Sequence, residues 1–267
     1  MNSHMICPDP LQPGDRVAIL APSGPCDGSF LVPAVKSLEK LGLRVHVTES
    51  CRSRHGYLAG SDALRAADVN GAFADRDIRG IFALRGGYGS QRILPLLDFG
   101  MIRRHPKVFA GYSDVTALHT AFSQLCGFVT FHAPMPATEL RDGIADDFTL
   151  RSLTDTLFRP LVPIPFPMPK GHQMETLAPG RAEGCLTGGN LSLLASSLGT
   201  PYEWDAADRI IFMEEVNEEP YRIDRLLLQL KLAGKFRRAK GIILGGFHPE
   251  DVDSLRMAID ELLVPEG

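Results

Sequence analysis

The sequence predicts an α/β protein, with an N-terminal doubly wound, mostly parallel sheet and a smaller C-terminal α/β domain. Short apolar runs rich in β-branched residues lie at residues 17–21, 43–47, 78–84 and 108–110, and helical patterns separate them. Strands that alternate with helices pair in parallel, because each helix provides the crossover that parallel strands need. A proline-dense run at residues 159–169 interrupts the alternation, which then resumes.

The first strand–helix–strand unit is marked by its turns. The buried run 17–21 ends in Pro22-Ser-Gly-Pro25, which has the composition of a turn. A helix is predicted over residues 30–41, and Gly42 ends it just before the strand at 43–47. This spacing indicates a βαβ unit and therefore a parallel sheet.

The rest of the N-terminal half repeats this alternation. Further helices are predicted over residues 63–73, 91–97 and 146–158 and from Asp114 onward, and a fifth strand over residues 128–131. The chain therefore divides into an N-terminal domain at residues 6–158, a proline-rich linker at 159–178 and a C-terminal domain at 179–267.

The C-terminal domain alternates in the same way. Strands are predicted at residues 181–186, 209–213 and 241–247, and helices at 191–198, 223–230 and 255–262. Gly188, Gly189 and Asn190 read as a turn into the first of these helices. The sequence ends where the alternation requires another strand, so we expect this domain to be incomplete at its C-terminus.

Composition excludes several function classes. The net charge is −4 and the pI is about 6.1, whereas nucleic acid and anionic membranes bind basic surfaces. No signal peptide opens the chain and no apolar run is long enough to cross a bilayer, so we expect a cytoplasmic protein. Five scattered cysteines without a C-x-x-C pair indicate reduced thiols. The histidines lack metal-ligand spacing, and we expect no metal and no cofactor.

The stretch 107–118 carries the most distinctive chemistry. Gly111 ends the apolar run 108–110 and a helical pattern begins at Asp114, so Ser113 lies at the turn from strand to helix. A nucleophile elbow uses this geometry, although Gly-Tyr-Ser-Asp is not the G-x-S-x-G pattern. From the residues alone, the alternative is that Ser113 or Asp114 only caps the helix.

A glycine cluster, Arg85-Gly-Gly-Tyr-Gly89, follows the strand at 78–84. Glycines there let backbone N–H groups approach a ligand, which favours an oxyanion hole or a phosphate cradle, and the alternative is a tight turn. The spacing matches neither nucleotide-binding motif. Because ligands bind at the carboxyl ends of the strands in such sheets, Gly86, Gly87 and Ser113 are expected to share one site.

Two other polar groups follow apolar strands. Glu214 and Glu215 end the run 209–213, and the alternative to a functional role is a solvated turn. That alternative suits Glu214 less well, since it adjoins the buried run. His132 follows the strand at 128–131, and we interpret it as a core or loop histidine with its hydrogen bonds satisfied.

Several motifs in the chain, taken in order, resemble the LD-carboxypeptidase family, the muramoyltetrapeptide carboxypeptidases, of which the microcin C self-immunity proteins form a branch. These motifs are Ala21-Pro-Ser-Gly24, Gly56-Tyr-Leu-Ala-Gly60, Arg85-Gly-Gly-Tyr-Gly89, Gly111-Tyr-Ser-Asp114, Gly184-Cys-Leu-Thr-Gly-Gly-Asn190, Gly199-Thr-Pro201, Glu214-Glu-Val-Asn217 and Pro220-Tyr-Arg-Ile-Asp-Arg225. The resemblance runs from Leu11 to the end of the chain, and it favours a functional role for Ser113 over the cap.

The resemblance implies a serine peptidase with a Ser-Glu-His triad between two α/β domains. By motif, Ser113 is the nucleophile, Glu214 orients the histidine, and Gly87 and Asp114 supply oxyanion-hole amides. The implied substrate is a murein peptide, cleaved at the L,D bond before a terminal D-alanine in peptidoglycan recycling. The resemblance also implies a homodimer.

Substrate-binding residues are less well defined. Gly86 lies in the glycine cluster, and Arg85 and Arg222 are candidates for binding the terminal carboxylate of the substrate. For each arginine the alternative is a solvated surface position or an ion pair.

The chain departs from the family pattern at the histidine. The family places it in a Gly-His motif after the strand that matches residues 241–247 and the helix that follows, and this sequence ends before that point. His248 is the in-chain substitute by position, but it does not match the motif. We therefore expect the chain as given to be inactive.

Two other functions stay open from the sequence. A microcin C-type immunity peptidase would use the same chemistry on a peptidyl-nucleotide and needs aromatic side chains around a base, and the chain has one tryptophan, Trp204. A non-catalytic peptide-binding module is supported by the missing histidine alone.

Overall fold

A computed structural model describes residues 5–162, 166–247 and 251–264. The chain separates into two compact units, Met1–Pro169 and Lys170–Gly267. The described residues of the predicted linker, 159–162 and 166–178, form neither helix nor strand.

The N-terminal unit is built on a parallel sheet of five strands. The strands are β1 Arg16–Leu20, β2 Arg44–Val47, β3 Ile78–Ala83, β4 Val108–Gly111 and β5 Phe131–His132. Their order is β2-β1-β3-β4-β5, which is typical of doubly wound sheets. The order reverses direction at β1 and β3, so the loops after these strands meet at the carboxyl edge of the sheet.

Helices connect these strands. They are α1 Gly28–Lys40, α2 Asp62–Ala74, α3 Ser90–Ile93, α4 Phe99–Arg104, α5 Thr116–Ala121 and α6 Asp147–Leu157. Short 3₁₀ turns occupy Glu49–Arg52, Leu94–Leu96, Ser113–Val115 and Arg141–Gly143, and a π-helical turn occupies Phe122–Cys126. No helix in the described ranges has both the length and the apolarity that a membrane crossing needs.

Both faces of the large sheet are covered, because alternate strand residues point to opposite sides. On one face Val17 and Ile19 join a core with residues of α1 and α6. On the other face Phe109 packs against the rings of Phe73 and Phe122, with centroids 6.2 and 5.0 Å away. The predicted fold class, a doubly wound parallel sheet with a smaller α/β unit, is confirmed.

The C-terminal unit contains a parallel sheet of three strands in the order β6-β7-β8. Its elements are β6 Leu186–Asn190, α7 Leu191–Ser196, β7 Ile210–Glu215, α8 Pro220–Leu232, β8 Gly241–Phe247 and α9 Val252–Leu262. Trp204, Leu227 and Leu230 lie among the most buried members of its core.

Two predicted strands were misplaced. The strand expected at 181–186 lies at Leu186–Asn190, and the glycines that read as a turn are part of it. A Cβ atom on Gly188 would lie 1.9 Å from the Phe212 carbonyl oxygen, so these glycines mark close approach of two strands. The strand expected at 128–131 is only Phe131–His132, because Phe128 instead bridges to Ile6.

Candidate active site

Ser113 begins the turn that follows β4 and has a left-handed backbone. Its φ is 64°, in a region that L residues adopt rarely. Residues with such backbone angles cluster at functional sites. The cap position of this turn is held by Tyr112, without a capping hydrogen bond from a side chain. The structure therefore does not support the alternative that Ser113 or Asp114 serves as a helix cap.

The glycine cluster after β3 packs directly on Ser113. A Cβ atom on Gly86 would lie 2.8 Å from the Ser113 hydroxyl oxygen and 2.9 Å from the Ser113 Cβ, so a side chain at position 86 would displace the serine. The same Cβ would lie 3.7 Å from the Asp114 amide nitrogen. The backbone of Gly86 thus borders the nucleophile candidate and one of the amides predicted for the oxyanion hole.

Gly87 is exposed, and its φ is 123°. A Cβ atom there would come within 3.0 Å of the Gly24 Cα, on the loop after β1. Within the described parts of the chain its main-chain N–H makes no hydrogen bond. This N–H is therefore available to a ligand, as an oxyanion donor must be.

The Asp114 carboxylate joins three loops of the site. It is buried, and it accepts hydrogen bonds from the Ser23 hydroxyl at 2.5 Å, the Gly89 amide at 3.2 Å and the Ser90 amide at 2.8 Å. These donors satisfy a carboxylate that would otherwise be costly to bury. The side chain of Asp114 therefore holds these loops together.

Arg85 is half-buried, and its Nη1 donates a hydrogen bond to the Pro25 carbonyl at 3.1 Å. It has no hydrogen-bond partner on Nε in the part of the chain that the structure describes. Among the described residues Arg85 forms no ion pair, and its half-buried position differs from that of a solvated surface arginine. Its guanidinium keeps N–H groups for a ligand, beside the loop that borders Ser113.

His119, close to the end of β4, does not have the surroundings of a general base. His119 is buried, its Nε2 lies 2.8 Å from the Gly111 carbonyl oxygen, and burial lowers its pKa to about 3. It therefore stays neutral and holds the strand end. His132 is exposed, with its ring 5.6 Å from that of Tyr112. His248 lies outside the described residues.

In the C-terminal unit, Glu214 and Glu215 end β7 and both are buried, so neither belongs to a solvated turn. Glu215 accepts hydrogen bonds from the side-chain amide of Asn190, from the amide and hydroxyl of Ser192, and from its neighbour's amide. Glu214 differs, because its Oε1 has no hydrogen-bond partner among the described residues. Burial, together with the charge of Glu215, raises the pKa of Glu214 to about 7.

Arg222 lies on the exposed first turn of α8 and forms an ion pair with Glu218 at 3.3 Å. The alternative interpretation, an ion pair, therefore describes its environment. The structure brings Ser113, Gly86, Gly87 and Asp114 together in the N-terminal unit, whereas Glu214 and Arg222 belong to the C-terminal unit.

Sequence reasoning missed the polar residues that hold these loops, Ser23, Arg65 and Ser90. Ser23 stood in a quoted motif without a role, and Arg65 lies inside a helix with no local signal. In the N-terminal unit the arrangement offers a hydroxyl at a strained turn and a neighbouring free amide, which are components of acyl transfer. In the described part of the chain, no group of three or more His, Cys, Asp or Glu side chains is arranged to hold a metal.

Comparison with known proteins agrees with this chemistry. The sequence model of the LD-carboxypeptidase N-terminal domain matches residues 17–133, and that of the LD-carboxypeptidase C-terminal domain matches residues 183–265. The chain belongs to the LD-carboxypeptidase family. As a member of this family of carboxypeptidases it is a serine peptidase.

Individual LD-carboxypeptidase relatives cover most of the chain. A probable murein peptide carboxypeptidase of Bacillus subtilis is 41% identical, across 97% of this chain and 82% of the relative. A crystal structure of muramoyltetrapeptide carboxypeptidase from Oxalobacter formigenes is 30% identical with a TM-score of 0.80, covering 93% of this chain and 86% of that chain. The microcin C7 self-immunity protein MccF has the same fold, with a TM-score of 0.85 at 24% identity over 97% and 88% of the two chains.

The position of Gly87 leads to a prediction. Gly87→Ala places a Cβ 3.0 Å from the Gly24 Cα at a φ of 123°, so the peptide must turn away. We expect kcat to fall by about 10²-fold or more, as for the loss of one oxyanion donor, with little change in KM. Gly127→Ala is the matched control, since Gly127 also has a positive φ but open space around it. A raised KM with normal kcat would make this loop a binding turn.

Proposed function

We propose that this protein is a serine carboxypeptidase that cleaves the L,D-peptide bond before a terminal D-alanine in murein tetrapeptides. The observation that carries the proposal is Ser113 at a left-handed strand-to-helix turn with the glycine cluster packed on its hydroxyl. The likeness to proteins named murein peptide carboxypeptidase and muramoyltetrapeptide carboxypeptidase supports the substrate class.

In the proposed mechanism Ser113 Oγ attacks the carbonyl carbon of the scissile bond while a histidine base takes its proton. The carbonyl oxygen becomes an oxyanion that accepts hydrogen bonds from the amides of Gly87 and Asp114. The C–N bond then breaks, the histidine gives its proton to the leaving amine, and D-alanine departs. Water hydrolyses the acyl-enzyme by the same sequence.

Glu214 completes the proposed Ser-Glu-His triad. Its unpartnered carboxylate oxygen is suited to accept a hydrogen bond from the imidazole N–H that faces away from the serine. Such a bond fixes the tautomer of the base and stabilises imidazolium when it forms. The N–H donor would also lower the pKa of Glu214 from about 7, keeping it ionised at neutral pH.

We place the base on the histidine of the family's downstream Gly-His motif. No histidine follows α9 in this sequence, and His119 is buried and held on a carbonyl. We therefore expect the 267-residue chain by itself to be catalytically inert. From the family we also propose a cytoplasmic homodimer.

The test measures D-alanine release from a murein tetrapeptide by this chain and by one extended through the family's Gly-His segment. We expect the extended chain to be faster by about 10³-fold or more, since removing a triad member has effects of that size. A tetrapeptide ending in L-alanine is the control substrate.

Two results would contradict these proposals separately. No D-alanine release by either chain would overturn the function. Equal turnover by both chains, lost from the short one on His248→Ala, would show that His248 is the base.

Cleavage of a peptidyl-nucleotide has less support. Trp204, considered for stacking on a base, is 1% exposed and belongs to the core of the C-terminal unit. We therefore expect a peptidyl-adenylate analogue to be a poor substrate in the same assay.

A further inference from the structure

Arg65 is a charged residue in the interior of the N-terminal unit. It lies on α2 and is fully buried, with 0% exposure. Its Nη1 donates hydrogen bonds to the carbonyls of Pro22 and, at 2.8 Å, of Gly89, and its Nη2 pairs with the Asp62 carboxylate. A guanidinium removed from water in this way is stabilised only by such partners, so its position depends on the two loops it contacts.

The same two loops are held from the other side by Asp114. Its carboxylate binds Ser23, next to Pro22, and the amides of Gly89 and Ser90. Gly89 is therefore fixed at both ends of the residue, since its amide donates to Asp114 and its carbonyl accepts from Arg65. Two buried, opposite charges thus clamp the loop after β1 to the loop after β3.

The fit around Gly89 is close. A Cβ atom there would lie 2.7 Å from Arg65 Nη1 and 2.6 Å from a methyl of Leu58, and the φ of Gly89 is 126°. Because Gly89 has no Cβ, its backbone lies in direct contact with the guanidinium. Only arginine offers several N–H groups in a planar fork that reaches two carbonyls and a carboxylate together, and the single ammonium of lysine does not.

The clamped loop includes the residues that border the nucleophile. Gly86 and Gly87 lie between β3 and the anchored pair Gly89 and Ser90, and Gly86 touches the Ser113 side chain. Gly87 itself is exposed and its amide makes no hydrogen bond among the described residues. The peptide that carries this amide is held through the Gly86 carbonyl, which accepts a hydrogen bond at 3.3 Å from the Gly24 amide, on the loop after β1 that Arg65 and Asp114 anchor. On the C-terminal side of Gly87, the nearest residues held by these hydrogen bonds are Gly89 and Ser90.

We propose that Arg65 is a positioning residue for the reaction, fixing the loop of residues 86–90 so that the Gly87 amide points at the developing oxyanion. The inference rests on the proposed function, because it assigns Arg65 a role in that reaction. Arg65 touches neither substrate nor the reacting atoms. Its effect reaches catalysis through the backbone of Gly89.

Kinetics of Arg65→Lys test the proposal at a temperature well below unfolding. They are measured in the chain extended through the family's Gly-His segment, which we call the catalytically competent chain. We expect kcat to fall by about tenfold to 10²-fold, the size of a small misplacement of a catalytic group, while KM changes by less than about threefold. Inhibition by a phosphonate analogue of the tetrahedral intermediate should weaken in parallel with kcat/KM, because that analogue needs the oxyanion hole. Arg65→Gln, which keeps two N–H donors without the charge, should give the same pattern.

Arg92→Lys is the matched control. Arg92 binds the same Asp62 carboxylate, through Nε and Nη2, but it is exposed, and among the described residues its side chain bonds to no carbonyl of the two loops. Its backbone amide donates to the Gly89 carbonyl at 3.2 Å, a bond that the substitution keeps. We expect its kcat and KM to equal those of the wild type. An equal loss in Arg92→Lys would assign the effect to Asp62 and overturn the role of Arg65.

Amide hydrogen exchange gives a second readout that does not need turnover. Exchange at residues 86–90 should be about tenfold faster in Arg65→Lys and unchanged in Arg92→Lys, since local anchoring sets local opening. Faster exchange in Arg65→Lys, combined with a wild-type protein that cleaves no tetrapeptide, would support the anchoring of the loop by Arg65 and would remove the proposed function. Unchanged kcat, a raised KM alone, or failure of both Arg65 variants to fold would overturn the proposal.

Discussion

Ser113→Ala is expected to reduce kcat by about 10³-fold or more in the catalytically competent chain, as removal of a triad nucleophile does. Alanine lacks the hydroxyl that forms the acyl-enzyme, and the oxyanion amides and substrate contacts would provide only residual catalysis. The backbone does not change, because alanine keeps the Cβ that serine has at a φ of 64°. We therefore expect KM and thermal stability to stay close to those of the wild type.

A glycine at the same position separates strain from chemistry. Ser113→Gly should be equally inactive but more stable by about 1 kcal/mol, because glycine adopts a positive φ without the steric penalty of a Cβ. Ser123→Ala, in the π-helical turn, is the serine control and should be fully active. Wild-type turnover in Ser113→Ala would remove Ser113 from the mechanism, and unchanged stability in Ser113→Gly would remove the argument from strain.

Local pattern was enough to predict the first four strands of the N-terminal sheet and the place of its site. Turn sequences and glycines mark the ends of β1, β3 and β4, and in a parallel sheet those ends meet at one edge. The proximity of Ser113 to Gly86 followed from that rule and is seen in the structure. Their roles stay predictions, since geometry places the groups without measuring turnover.

The misplaced strand of the second unit has a physical cause. The adjacent glycines Gly188 and Gly189 are assigned to a turn by a sequence rule. Their φ values are positive, 128° and 140°. In the folded chain they belong to β6, because β7 lies too close for a side chain. Local sequence does not distinguish glycine in a turn from glycine beneath a neighbouring strand, since the difference depends on a partner 24 residues away at Phe212.

The polar network behind the site was also beyond local pattern. Arg65 interrupts an otherwise small and apolar helix face, and such a residue reads as solvent-exposed. Its burial depends on carbonyls of Pro22 and Gly89, which are far away in sequence. When the hydrogen-bond partners of a buried charge lie far away in sequence, they leave no periodic pattern or motif that sequence analysis can detect.

Glu214→Gln is expected to lower kcat by up to about 10⁴-fold, the loss seen when the acid that orients a catalytic histidine becomes an amide. Glutamine keeps the shape of the side chain but does not stabilise imidazolium, and its amide can favour the wrong tautomer. The unpartnered, buried Oε1 of Glu214 is the structural reason for choosing this residue over its neighbour. Steady-state kinetics on the tetrapeptide, in the competent chain, measure the effect.

Glu215→Gln is the control, and it should act on stability instead. The Glu215 carboxylate accepts hydrogen bonds from Asn190, Ser192 and the amide of Val216. In Glu215→Gln the side-chain NH₂ group would face these N–H and O–H donors and could not accept from them. We expect a loss of about 1–3 kcal/mol in the free energy of unfolding and a smaller change in kcat. The reverse ranking of the two variants in kcat would place the catalytic acid at Glu215.

The pH dependence of stability tests the environment of Glu214 independently of turnover. Burial raises the pKa of Glu214 from 4.5 to about 7, so the folded state favours the protonated acid. Its stabilising contribution is complete below pH 4.5 and is lost as the pH rises to about 7, a difference of about 3 kcal/mol. In this chain Glu214→Gln removes that dependence, so the variant should gain stability over the wild type between pH 5 and pH 8, measured by urea unfolding. Parallel stability curves for the two proteins across this range would show that Glu214 is already ionised and partnered in the folded chain, and a histidine would not be needed to complete its environment.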